Sequence, residues 1–208
     1  MSPATKKSAA EARGTARRQA LLDAARQVFS QKGYHPATVD DITRVAGVAK
    51  GTFYLYFSEK RAVFYDLMQQ FFEMVTNVGM SVSRDVGTKK EYFARTEAAA
   101  SHLVELFQNN RDLVRLSYRE SMGMDEQLEK MVRDFYRALA RVEADNIRLG
   151  MDLGLFRDDI DPLLAAYAHI GMVERVLLQW QFDRSFPKIP DLQKQIVELA
   201  YIGLRKNR

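Results

Sequence analysis

Residues 47–60 read GVAKGTFYLYFSEK, and the groups in them that could do chemistry are cations and hydroxyls. Lys50 can donate to guanine or to a phosphate oxygen, and the hydroxyls of Tyr54 and Tyr56 suit phosphate oxygens. Gly51 and Thr52 are small, so the backbone carrying them can approach a duplex closely. Lys60 closes the stretch. Residues 1–60 hold ten Lys+Arg against five Asp+Glu, a balance of +5, whereas residues 61–208 hold 21 against 22. The whole basic excess of this 208-residue, +4 chain therefore sits in its first 60 residues. That asymmetry implies a small module facing a polyanion and a larger one that does not.

The elements that must position these side chains are short helices. Thr38 can cap a helix over Val39–Ala46, with Asp40 and Asp41 at its positive end. Gly47 breaks it, and a second short helix runs from Val48 to about Leu55. Two short helices joined by a glycine turn form the helix-turn-helix pattern. Ile42 and Val45 can pack on Val48 and Phe53, leaving Lys50, Gly51, Thr52, Tyr54 and Tyr56 outward, at base edges in a major groove. Ser58 or Glu59 opens a long helix over 59–79 with Val63, Phe64, Leu67, Met68, Phe71, Phe72 and Val75 as its apolar stripe. Lys60 falls in its first turn, where cations oppose the helix dipole but a bound phosphate would be favoured by both. Upstream, Leu21, Leu22, Ala25, Val28 and Phe29 predict a helix over Thr15–Lys32, stopped by Gly33. Residues 1–14 lack apolar periodicity and read as a mobile basic arm. Arg17, at the start of the first helix, is a further phosphate contact.

Helical patterns continue at 89–109, 111–121, 125–150, 161–183 and 190–206, with Asp161-Pro162 as a cap followed by a first-turn proline. No alternating strand pattern and no repeat intervenes, so the fold class is all-α. Cysteine is absent, which removes disulfides, thiolate metal sites and thiol nucleophiles. There is no HExxH, GxSxG or phosphate-cradling glycine loop, and the three histidines are dispersed at 35, 102 and 169. An enzyme is therefore not expected, and neither a metal nor a cofactor. No run reaches the ~20 apolar residues of a membrane helix, and a cytoplasmic protein is expected.

The run TVDDITRVAGVAKGTFYLYFSEKRAVFYDL, with AARQVFSQKGYHPATV before it, resembles the DNA-binding domain of TetR-type (TetR/AcrR) transcriptional regulators over residues 16–66. The resemblance implies a helix-turn-helix DNA-binding domain at 15–58 and a helical effector-binding and dimerisation domain at 59–208. It puts Lys50, Gly51, Thr52, Tyr54 and Tyr56 on the recognition helix. It matches Thr38 and Thr43 to phosphate-meeting positions on the supporting helix, and Lys60 to the lysine opening the linking helix. One departure is Ala49, where the family often has serine: alanine cannot cap the recognition helix.

It further implies a homodimer through the last two helices, with Tyr167, Ile170, Gly171, Leu177, Trp180, Leu192, Ile196 and Leu199 at the interface. A mid-helix glycine such as Gly171 is explained by a close helix approach. The middle helices offer Phe93, His102, Leu106, Phe107, Tyr118, Met122, Phe135, Tyr136 and Tyr167 for an effector pocket. The function expected is a dimeric repressor on an inverted-repeat, double-stranded operator, released by a small apolar or amphipathic molecule. The alternatives are a ligand-independent DNA-packing protein and, less well supported, a helical enzyme.

Overall fold

The computed structural model describes residues 3–83, 85–120, 125–183, 185–186 and 191–205, with the backbone alone at 3–11, 120 and 202. The elements are α1 (Pro3–Lys32), α2 (Val39–Ala46), α3 (Lys50–Tyr54), α4 (Lys60–Met80), α5 (Lys89–Asn109), α6 (Arg111–Glu120), α7 (Glu126–Asp152), α8 (Pro162–Phe182) and α9 (Leu192–Ile202). The chain is all-α; one isolated antiparallel bridge joins Phe156 to Arg205. No described helix is long and apolar enough to cross a membrane.

The main departures from the sequence expectation are in α1, α3 and α9. Helix α1 begins at Pro3 rather than Thr15 and runs through the segment read as an arm. Alanine and the straight-chain residues of KKSAAEAR favour helix by propensity, which a test for apolar periodicity does not detect. Helix α3 is shorter than 48–55. The N–H groups of Tyr56 and Phe57 already turn back to the Phe53 carbonyl at 2.9 and 3.0 Å. Helix α9 ends at Ile202, short of 206, and the chain then pairs with the segment after α7, where Arg157 N donates to Leu204 O at 2.8 Å. The expected cap of α8 is present: Asp161 Oδ1 accepts from Leu164 N at 2.9 Å, with Pro162 next.

The chain forms two compact units. One comprises Met1–Phe71 and Asp112–Leu128. Its core is the expected α1 stripe (Leu21, Leu22, Ala25, Val28, Phe29), joined by Ile42, Phe53, Phe57, Val63, Phe64, Leu67 and Met68. Leu113, Val114, Leu116 and Leu128 are buried in the same unit, although they lie far along the chain. Phe29, Tyr34 and Phe64 pack as a cluster of rings, the closest pair 4.8 Å apart.

The other unit comprises Phe72–Arg111 and Glu129–Arg208. Here Phe72 stacks on Phe135 at 4.2 Å, and Phe156 on Tyr201 at 4.9 Å. Ala140, Ala144, Ile147, Ala166 and Leu177 fill the interior. A Cβ at residue 150 would overlap the Phe156 ring, so the close approach of that ring to α7 requires Gly150.

Candidate nucleic-acid interface

Helix α2 is fixed at both ends. Thr38 Oγ1 accepts from Asp41 N at 3.1 Å, and Asp41 Oδ2 accepts from Thr38 N at 3.2 Å, a reciprocal capping box. Asp41 also takes Lys32 Nζ at 2.7 Å and pairs with Arg44. The hydrogen bond from Lys32, and after it that from Thr38, holds the Asp41 carboxyl down at about 2. At the other end Gly47 adopts φ 66°, a left-handed conformation that glycine reaches without steric cost, and Val48 N closes on Thr43 O at 3.0 Å.

Helix α3 follows with Ala49 as its N-cap and no side-chain hydrogen bond there, as its residue type dictates. Phe53 is 0% exposed and Phe57 is buried, so the two rings anchor the segment. The opposite side is open. Lys50, Gly51 and Tyr54 are exposed, and Thr52 and Tyr56 are half-buried. A Cβ placed on Gly51 would meet nothing within 4 Å. Lys50 is engaged with Asp40 of α2 at 2.9 Å; the hydrogen bond and charge of Asp40 raise the lysine's pKa. Arg17 is exposed on α1, whereas Arg18 pairs with Asp66 and lies 5.0 Å from the Phe57 ring centroid.

Thr38 and Thr43, matched to phosphate-meeting positions, and Lys60, matched to the lysine opening the linking helix, are occupied internally. Thr38 is exposed but its hydroxyl belongs to the capping box. Thr43 is buried, and its hydroxyl donates to Asp40 O at 3.2 Å. Lys60 turns back on the preceding loop, donating to Tyr34 O, His35 O and Ala37 O at 2.7, 3.0 and 2.7 Å, with its Nζ 4.4 Å from the Tyr34 ring centroid. An ammonium has three protons; those of Lys60 hold the α1–α2 loop to the start of α4. Leu55, to which the sequence assigns no contact, is 80% exposed.

The residues named for an effector pocket separate. Leu106 and Phe107 are buried, and Phe135 carries the stack on Phe72. Tyr136 donates its hydroxyl to Glu174 at 2.5 Å; burial, and then Glu174, push its pKa above the ordinary tyrosine value. Phe93, His102 and Tyr167 are exposed, as is Tyr118, which belongs to the first unit. Met122 lies outside the described residues. Sequence reading missed the polar group within the second unit. His169 Nδ1 meets Glu143 Oε1 at 2.5 Å, and Asn146 Nδ2 donates to Gly79 O at 3.1 Å. Burial lowers the His169 pKa, but the Glu143 charge and hydrogen bond override it and leave the pKa raised. Among the described residues no three His, Asp or Glu side chains converge to hold a metal ion.

The residues named for a dimer interface also divide. Leu177, Leu192 and Ile196 are buried within this chain's own fold. On α8 the buried side is made by Ala165, Ala166, Leu177 and Gln181. Ile170 and Trp180 are half-buried. Tyr167, Gly171 and Leu199 are exposed, together with Leu163 and Leu164. Gly171 makes no close approach within the chain, since a Cβ there meets nothing within 4 Å.

Comparison with known proteins agrees with this geometry. The family described as "Bacterial regulatory proteins, tetR family" matches residues 21–67. The HTH-type transcriptional regulator YdgC of Bacillus subtilis (strain 168), described as uncharacterized, is 28% identical over 196 residues, which span 93% of this chain and 95% of that one. The crystal structure of the transcriptional regulator FadR from Bacillus subtilis in complex with stearoyl-CoA superposes with a TM-score of 0.74 at 21% identity, over 90% of this chain and 99% of that one. The SmeT–triclosan complex does so with a TM-score of 0.72 at 21% identity, over 92% and 93%; SmeT is the repressor of the Stenotrophomonas maltophilia multidrug efflux pump SmeDEF. With a capped helix, a glycine turn and a second helix inside it, the segment 21–67 is of the tetR family of bacterial regulatory proteins, and the chain is a TetR-type DNA-binding transcriptional regulator.

Proposed function

We propose that the chain acts in the cytoplasm as a homodimeric repressor. It binds an inverted-repeat operator through α3 and leaves it when a small apolar or amphipathic molecule occupies residues 59–208. The observation that carries the reading is the two-sided recognition segment, with Phe53 and Phe57 buried while Lys50, Gly51 and Tyr54 are open to a partner. Dimerisation is supported by the exposed apolar side chains Leu163, Leu164 and Tyr167 on α8 and Leu199 on α9. Gly171, exposed and open on α8, leaves room for a second helix to approach. A two-fold pair would present two recognition helices to one face of DNA about 34–36 Å apart.

The effector class is supported by two neighbours of the same fold, one crystallised with stearoyl-CoA and the other with triclosan. A ligand can release DNA only if it binds the DNA-free state more tightly than the DNA-bound state. The test is a gel shift on a bound operator, titrated with acyl thioesters of graded length and with apolar aromatic compounds, beside sedimentation of the free protein. Release by one class, from a protein sedimenting as a dimer, supports the reading. Retention of DNA across a broad library removes the effector half, and a monomer at micromolar concentration removes the dimer half.

A further inference from the structure

We infer that Leu55 reads thymine methyl groups in the major groove and is a specificity-determining residue beside the polar donors of α3. The inference rests on the DNA-binding reading of α2 and α3. Leu55 follows α3 as its C-cap with φ −72° and ψ −21°, so its side chain continues the helical order of Lys50–Tyr54. Residues four apart lie on one face of a helix. Lys50 with Tyr54 therefore makes a polar stripe, and Gly51 with Leu55 makes a neighbouring stripe of no side chain followed by an apolar one.

Leu55 is the most exposed large apolar side chain among the described residues, at 80%, and Tyr54 beside it is 51% exposed. The exposure is imposed by the anchors. Phe53 and Phe57 flank Leu55 two residues away on either side and are both buried, and Leu55 N is tied to Thr52 O at 3.3 Å. An isobutyl group neither donates nor accepts, so it cannot contact phosphate or the hydrogen-bonding edge of a base. The apolar group that the major groove does offer is the C5-methyl of thymine. The open space over Gly51 lets a base pair approach the backbone and brings that methyl within reach of Leu55. The basic excess of residues 1–60, which carry this helix-turn-helix, favours a polyanionic partner over an apolar protein surface.

The full chain is first used to select a site from random DNA. Each thymine of that site is then replaced in turn by deoxyuridine, which lacks only the methyl group. Affinities are read by fluorescence anisotropy for the wild type and for Leu55→Ala, with thermal midpoints as the folding control. At one or more thymines the wild type weakens about fourfold, the worth of one methyl removed from water. Leu55→Ala melts with the wild type and binds the thymine and deoxyuridine sites equally at those positions. A wild type indifferent to deoxyuridine throughout an enriched site overturns the inference and leaves the DNA-binding reading standing. A deoxyuridine effect of the same size in Leu55→Ala overturns it too, by assigning the methyl to another residue. Failure to enrich any site overturns both readings together.

Discussion

Arg26 of α1 and Asp112 of α6 form a two-point ion pair, Nε to Oδ2 at 2.5 Å and Nη2 to Oδ1 at 2.6 Å, across 86 residues of sequence. The fork geometry is that of a strong, charge-assisted pair. A second tie lies in the same unit, where Asp125 accepts from Arg61 at 2.8 Å and from the Tyr65 hydroxyl at 2.5 Å. Both ends of the segment Asp112–Leu128 are thus bound to helices of the unit that holds the helix-turn-helix.

Burial alone would raise the Asp112 carboxyl, but the Arg26 hydrogen bonds and charge override it and hold it below the ordinary carboxylate value. A carboxyl depressed in the folded state contributes stability above its unfolded pKa near 4 and loses it as pH falls through the folded value. Asp112→Asn is expected to cost about 1–2 kcal/mol at pH 7 and to be less sensitive to acid below pH 4 than the wild type. Urea titrations at pH 7 and pH 3 measure both. Superimposable curves at pH 7 would make the pair ornamental.

Lys60→Met removes three hydrogen bonds to loop carbonyls and is expected to destabilise the chain by about 2 kcal/mol. A lysine serving only a DNA phosphate would leave unfolding of the free protein unchanged. The denaturation midpoint without DNA separates the two roles.

The capping box makes α2 acid-sensitive. The Asp41 carboxyl is held at about 2 by Lys32 and Thr38, so its contribution is complete above the ordinary carboxylate range and is lost as pH falls toward about 2. Asp41→Asn should melt earlier at neutral pH and lose less between pH 5 and 2. Thr38→Ala should cost about 1 kcal/mol, with Thr38→Ser restoring most of it. Thermal midpoints across that pH range decide both, and a Thr38→Ala chain as stable as the wild type would show that the cap carries no weight.

Two variants on the open side should move DNA affinity in opposite directions. Tyr54→Ala, at a half-exposed position, is expected to weaken binding about tenfold while shifting unfolding by less than about 0.5 kcal/mol. Asp40→Asn frees Lys50 from its ion pair and removes an anion from the face presented to DNA; binding tightens a few-fold, about the worth of an exposed pair. Anisotropy at fixed salt reads each. A large stability loss in Tyr54→Ala would return that ring to the core.

What was legible in the sequence was local. Thr38 as a cap, the glycine at 47 and the packing of Ile42 with Phe53 define the helix-turn-helix without reference to the rest of the chain, although Val45, expected to pack with them, is 44% exposed. Less legible was any partner chosen across a loop. Nothing near Lys60 in sequence points to the carbonyls of Tyr34, His35 and Ala37, so the same lysine reads equally well as a phosphate ligand. Periodicity had a second blind spot at Leu177, Leu192 and Ile196. A stripe of apolar residues says that a face is buried but not whether its own chain or a second copy buries it. Glu143 and His169 meet from α7 and α8, a pairing that only the packing of those helices creates.

The central claim is that the exposed side of α3 reads a specific, two-fold symmetric DNA site. Selection from random double-stranded DNA by the full chain at near-physiological salt tests it most directly. The account predicts an enriched inverted repeat whose half-sites lie about one helical turn, 10–10.5 base pairs, or a multiple of it apart. A pool with no enriched sequence, bound only through contacts that dissolve with salt, would contradict it.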